Sequence, residues 1–271
     1  MKHQIMTFEE YAKSRHEAPY VFEIENGNKK ITYFGARHSQ NPADPMFARI
    51  EQKFSSSNPE IVFVEGVDQL KTQKPHIIKM LVGWSRETSI KEMGESGFVL
   101  KLAIESGVEI ESPEPEFKDE LAHLLRQGFS REDIFAYYLY RQIEQYHRMV
   151  EKPALDAYLD PHLRGFRLTA DWEDFECSLN NLEAIGKKIW GERGGFETNN
   201  VSRTDPTPWN EKKDTWTAVN QIAQQSSYFR DEYIVQRIAD VMKQKNRLFV
   251  VFGASHAYMQ ESALRKLFEN L

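Results

Sequence analysis

Two short runs, Ile61-Val-Phe-Val64 and Leu248-Phe-Val-Val-Phe252, are apolar at every position and rich in β-branched and aromatic residues. A strand with one face in water alternates polar and apolar side chains; one without that alternation has to be covered on both faces. Helices on both sides of a mostly parallel sheet provide that cover. Helical patterns do separate the strand-like runs: Pro45 to Phe54, Gly97 to Ser106 with a stop at Gly107, about Asp214 to Lys245, and Met259 to Leu267. Tyr20–Ile24 and Lys30–Phe34 flank Asn26-Gly27-Asn28, a hairpin signal, and Val108–Ile110 reads as a further strand. The expected fold is α/β, a mostly parallel central sheet flanked by helices, with a helical insertion across about 115–210.

Within the insertion, Ser130 and Asp133 resemble a capping box opening a helix that runs to about Met149. Its aromatic series Phe135, Tyr137, Tyr138, Tyr140 and Tyr146 reads mainly as helix packing, with a pocket or haem face as the alternative. Gly191 to Asn210 holds three glycines and two prolines and is expected to be a loop or lid rather than packed structure. With no tandem repeat, low-complexity tract or linker, a single domain over 1–271 is the expected organisation.

Composition narrows the partners. The chain carries 35 Lys+Arg against 41 Asp+Glu, a formal charge of −6, which argues against nucleic-acid binding by bulk charge. Cys177 is the single cysteine, so no intrachain disulfide can form. Met1 to Lys13 has no apolar stretch of the secretory kind. The longest apolar run, Ile134–Tyr140, falls far short of the roughly 18–20 residues of a membrane helix. A cytoplasmic protein acting on a small-molecule or peptide substrate is the expectation, with no nucleic-acid partner and no membrane span.

Chemistry concentrates at the ends of strands. Ile31-Thr-Tyr-Phe-Gly35-Ala-Arg-His38 and Leu248-Phe-Val-Val-Phe-Gly253-Ala-Ser-His256 share one shape: strand, glycine, two residues, histidine. Between them Ile61-Val-Phe-Val-Glu65-Gly66 is a strand ending in a carboxylate. In parallel α/β sheets the ligand crevice lies beyond the carboxyl ends of the strands, and each glycine would let the backbone turn sharply there. His38, Glu65 and His256 are therefore expected to converge. Imidazole and carboxylate together suit Zn, Mn, Co or Fe, and three protein ligands would leave a position for water.

These paired Gly-x-x-His motifs with Val-Glu-Gly between them resemble the TraB/PrgY/TIKI family, within a wider group of erythromycin-esterase-like and ChaN-like proteins. The resemblance covers about 31–70 and 225–271. It implies a hydrolase whose active-site set is His38, Glu65 and His256. TIKI-type members are regarded as metal-dependent proteases, esterase-like relatives hydrolyse esters, and ChaN-like relatives bind haem. A divalent metal (Mn, Co or Zn) is thus one implied cofactor and haem the alternative, the latter on a binding protein without turnover. Phe229-Arg230-Asp231 is similar to the Arg-Asn or Arg-Asp element on the helix before the last strand in this group, and Arg-Asp leans toward the esterase-like variant.

Arg230 also extends the apolar stripe Ile234, Ile238, Val241 and Met242 by one turn. An arginine there must snorkel, pair with a carboxylate such as Glu65, or face a site, where it would bind a substrate carboxylate or stabilise an oxyanion. Asp231 is a candidate beside it, or a solvated partner. Glu111 and Glu114 follow the Val108–Ile110 strand; Glu114 reads as a general base, a further ligand or an acid in water. Ser39 and Ser255 lack a nucleophile elbow. Asp44 either orients His38 or caps the helix at Pro45.

Overall fold

The computed structural model describes residues 5–71, 73–149, 152–197, 203–207 and 216–269. The order of elements is α1 (Phe8–Tyr11), β1 (Tyr20–Asn26), β2 (Lys29–Ala36), α2 (Pro45–Ser57), β3 (Ile61–Val64), α3 (Lys74–Gly83), α4 (Arg86–Ser106) and β4 (Glu109–Glu111). Then follow α5 (Phe117–Arg126), α6 (Arg131–Arg148), α7 (Leu155–Ala170), α8 (Leu179–Trp190), α9 (Ala218–Met242), β5 (Arg247–Gly253) and α10 (Ala254–Phe268), with short 3-10 turns at Asp68–Lys71 and Gly191–Gly194. The chain divides into two compact units. One comprises the residues up to Thr7, Ser14–Pro115 and Arg230 onward; the other comprises Phe8–Lys13 and Glu116–Phe229.

The first unit is built on a five-stranded sheet in the order β1-β2-β5-β3-β4. The β1–β2 hairpin is antiparallel, while β2, β5, β3 and β4 run parallel. Both faces are covered, as the unbroken apolar runs require. Phe34, Val62, Val64, Phe249 and Val251 join Phe47, Ile50, Phe54, Phe98 and Leu102 of α2 and α4 in one cluster. The alternate residues Ile31, Tyr33, Phe63, Leu248, Val250 and Phe252 are equally buried, and α10 packs against β1, β2 and β5. Of the stripe, Ile234, Ile238 and Met242 of α9 are fully buried, while Val241 is half-buried.

Local signals explain most boundaries. Gly27 turns the hairpin at φ +60°. The Asp44 side chain accepts from the Met46 N–H and caps α2, with Pro45 in the first turn. Gly107 closes α4 in the left-handed region. α10 begins directly after Gly253, five residues earlier than Met259, so His256 stands on its first turn rather than on a loop.

Two expectations need correction. Neither Gly35 nor Gly253 adopts a positive φ, so neither is required for a sharp turn. A β-carbon on Gly35 would lie 2.7 Å from the Ala257 Cβ and 2.6 Å from the Tyr20 carbonyl oxygen. Gly35 is there so that α10 can press onto the sheet. The second correction concerns Gly191 to Asn210, parts of which (198–202 and 208–210) lie outside the described residues. In the remainder, Gly194 packs against the backbone of Gly186, and Arg203, Thr204 and Thr207 are buried. The small residues serve close packing there, not only a flexible loop.

The helical unit carries α5 to α8 and α9 as far as Phe229. Leu124, Phe135, Tyr140, Leu159, Leu182 and Ile222 form its core, with Cys177 buried among them as a small apolar residue. Tyr137, Tyr138 and Tyr140 spend their hydroxyls inside this unit, on Ser226, Glu120 and the Gly194 carbonyl. The aromatic series is packing.

Candidate active site

Strand register decides the geometry. Ala36 of β2 pairs with Gly253 of β5, and Val64 of β3 pairs with Val251, so three parallel strands end side by side with β5 in the middle. His38 follows β2 by two residues, Glu65 follows β3 directly, and His256 opens the helix after β5. The Glu65 N–H continues the ladder to the Val251 carbonyl at 3.1 Å.

Glu65 lies at the centre. Its Oε2 accepts from the Gly253 N–H at 2.6 Å, and its Oε1 lies 3.6 Å from the Arg230 guanidinium and 3.7 Å from His256 Nε2. A β-carbon at Gly253 would sit 3.1 Å from His38 Nε2 and 3.5 Å from Glu65 Oε2. The missing side chain at Gly253 makes room for both groups. Burial pushes the Glu65 carboxyl up, but His256, Arg230, His38 and the Gly253 N–H outweigh it and hold the group at about 2.

Each histidine is held from behind by a carboxylate. His38 Nδ1 donates to Glu95 Oε1 at 2.6 Å, and His256 Nδ1 donates to Asp231 Oδ1 at 2.7 Å. In both rings this leaves Nε2 on the side of Glu65 and Gly253. The two differ in access: the His38 side chain is 69% exposed, that of His256 15%. Burial pushes the His256 pKa down; Asp231 and Glu65 more than reverse this and raise it, against opposition from Arg230.

Arg230 is not on its own in the crevice. Its Nε and Nη2 form a two-point pair with Glu114 at 2.9 and 2.7 Å. Glu114 is buried, and Lys71 donates to its backbone carbonyl. The acid is therefore the counter-ion of Arg230 rather than an acid in water. Glu111 pairs instead with Arg237. Asp44 caps α2 and binds Arg37 at 2.7 Å, so the carboxylate that orients His38 is Glu95 and not Asp44. The Ser39 hydroxyl accepts from the Asn41 N–H.

All six candidate residues, His38, Glu65, Glu114, Arg230, Asp231 and His256, thus fall in the sheet unit. Of the other described histidines, His16 stacks on Tyr258, His123 stacks on Phe229, His162 lies against Tyr158 and His147 donates to the Phe196 carbonyl; His3 lies outside the described residues. Glu95 is an addition. Gly94 interrupts α4 with φ +57° and ψ −141°, and a β-carbon there would press on the Ser39 carbonyl at 3.1 Å. The break sets Glu95 under His38 and lets the Ser96 hydroxyl donate to the Glu65 carbonyl at 2.8 Å. Two glycines, Gly94 and Gly97, in one helical pattern are the sequence signal for that break.

Two imidazoles and a carboxylate are donors of the kind a divalent metal prefers. As arranged, however, the Glu65 oxygens face a backbone N–H, a guanidinium and His256, and among the described residues no group of three or more His, Cys, Asp or Glu side chains is set to hold a metal ion. The arrangement does not fit a preformed metal centre. Among the described residues, no helix is long and apolar enough to cross a membrane. No family model, curated protein or solved structure matches the chain.

Proposed function

We propose that the chain is a hydrolase of a carboxylic ester or amide bond, as its resemblance to the TraB/PrgY/TIKI group implies. The observation that supports this reading is the pair of carboxylate-held histidines directed at the Glu65 end of β3. A histidine whose Nδ1–H is fixed by a carboxylate offers Nε2 to a reacting proton. His38, the more exposed ring, is the general base. Its Nε2 takes a proton from water, and Glu65 accepts the other hydrogen and orients the molecule. The water oxygen bonds to the carbonyl carbon, and the π pair moves onto the carbonyl oxygen. His256, whose raised pKa favours the charged ring, and the Arg230 guanidinium supply positive charge for that oxyanion. Collapse breaks the bond to the alkoxide or amine, which leaves with the proton from His38.

A panel of ester and amide substrates tests the proposal, assayed on metal-stripped protein and again after adding Mn, Co or Zn. Hydrolysis that disappears in His38→Ala and in His256→Ala, with circular dichroism unchanged, is the expected result. Full activity in either variant overturns the mechanism. Activity restored only by stoichiometric metal would overturn His38 as the base.

A further inference from the structure

Behind His256 the polar contacts continue into the core. The Gln260 side-chain N–H donates to Asp231 Oδ1 at 2.7 Å, the same oxygen that receives His256, and the Tyr33 hydroxyl donates to Gln260 Oε1 at 3.0 Å. Tyr33, Asp231 and Gln260 are all 0% exposed. Among the described residues, Asp231 Oδ2 is buried with no hydrogen-bond partner. Two donors therefore point one way, from Tyr33 to Gln260 to Asp231, and His256 donates to the same Asp231 oxygen.

We propose that Gln260 is a positioning residue for His256, acting by fixing the torsion of the Asp231 carboxylate that holds the imidazole. The amide orientation follows from its neighbours. A carboxylate oxygen only accepts, so the NH2 end must face Asp231, and the carbonyl end is left for the Tyr33 hydroxyl. Gln260 and His256 lie one helical turn apart on α10, so both reach Asp231 on α9 from the same face. A buried acceptor favours whatever donors it has, and two donors on Oδ1 make the observed rotation of the carboxylate the best satisfied one. Without Gln260, Oδ1 keeps only His256, and one of the two bonds that hold the carboxylate torsion is gone. The carboxylate can then rotate, and the imidazole follows it. The buried phenol of Tyr33 lies outside the reaction proposed above, and this network assigns it a role at one remove.

The inference about the ring stands on the hydrogen bonds alone, while its effect on turnover rests on the hydrolase reading. The test uses Gln260→Met, which preserves length and volume, and Tyr33→Phe, which preserves the ring. Nitrogen-15 histidine NMR should show His256 of the unaltered protein as the Nδ1–H tautomer when neutral. In Gln260→Met it should become a mixture of tautomers, and Tyr33→Phe should shift it the same way by a smaller amount. A fall in kcat of roughly tenfold with KM unchanged should accompany the Gln260→Met spectrum, since losing an outer-shell orienter typically costs about 10–100-fold. An unaltered His256 spectrum in folded Gln260→Met overturns the proposal, whatever the activity. A changed spectrum in a protein that hydrolyses nothing upholds the positioning role and removes the hydrolase reading.

Discussion

His38 and Glu95 are 57 residues apart in the chain, and their side chains meet at 2.6 Å because α4 is broken at Gly94. The contact joins a mostly exposed ring to a buried carboxylate. It leaves the ring able to meet substrate while restricting its rotation. Glu95→Gln keeps the volume but removes the carboxylate. Under the proposed mechanism turnover should fall by at least about tenfold, against about 10²–10⁴-fold for loss of the base itself. Steady-state kinetics beside His38→Ala checks the order of the two effects; equal activity in Glu95→Gln and the parent protein would remove Glu95 from the mechanism.

The two motif glycines should respond in opposite ways to alanine. Gly35→Ala drives a β-carbon into buried backbone and the Ala257 methyl, an overpacking worth about 1–3 kcal/mol. Gly253→Ala meets mainly the edge of the exposed His38 ring, and φ at Gly253 is −56°, so the backbone accepts it. The expected pattern is a lowered denaturation midpoint for Gly35→Ala, and a nearly unchanged midpoint with impaired hydrolysis for Gly253→Ala.

Glu65 ties stability to acid. Its folded value of about 2 lies below the ordinary 4.5, so its stabilisation is complete above pH 4.5 and is lost as pH falls toward 2. At about 1.4 kcal/mol per pH unit the gap amounts to about 3 kcal/mol. Urea unfolding of Glu65→Gln and the parent should differ most near neutrality and converge by about pH 2. A constant difference across that range would contradict the assignment.

His256 contributes in the other direction. A folded pKa above 6.5 means that its stabilisation is present below pH 6.5 and is lost as pH rises through the folded value. Asp231→Asn removes the largest group opposing the burial penalty. As pH rises above 6.5 the parent should therefore lose stability more steeply than Asp231→Asn, a comparison that thermal unfolding in a pH series can make.

Arg230 and Glu114 form the most buried of the arginine–carboxylate pairs around the site, with side chains 15% and 7% exposed. Removing one partner leaves the other charge uncompensated, at a cost of about 3–5 kcal/mol. Arg230→Met should show that loss, and Glu114→Gln added to it should recover a large part. Additive destabilisation in the double variant would mean that the two side chains act independently.

Much of this protein is determined by the sequence alone. The unbroken apolar runs of β3 and β5 demand cover on both faces, which settles the α/β class. Gly27, Asp44-Pro45, Gly107 and Ser130 mark their turns and caps through local backbone chemistry. Because strand ends in a parallel sheet share one edge, the positions of His38, Glu65 and His256 after their strands were enough to bring them together. Pairings across the chain were decided only in the tertiary structure. Whether a carboxylate orients a histidine, neutralises an arginine or meets water depends on which distant side chain arrives at its oxygens, and residue spacing does not encode that. Asp44 was the carboxylate that spacing offered to His38; the break at Gly94 brought Glu95 there instead. Gly35 and Gly253 look identical in sequence, yet one makes room for a helix and the other for a histidine and a glutamate. Packing settled that difference, because a glycine is defined by what occupies the space its side chain leaves.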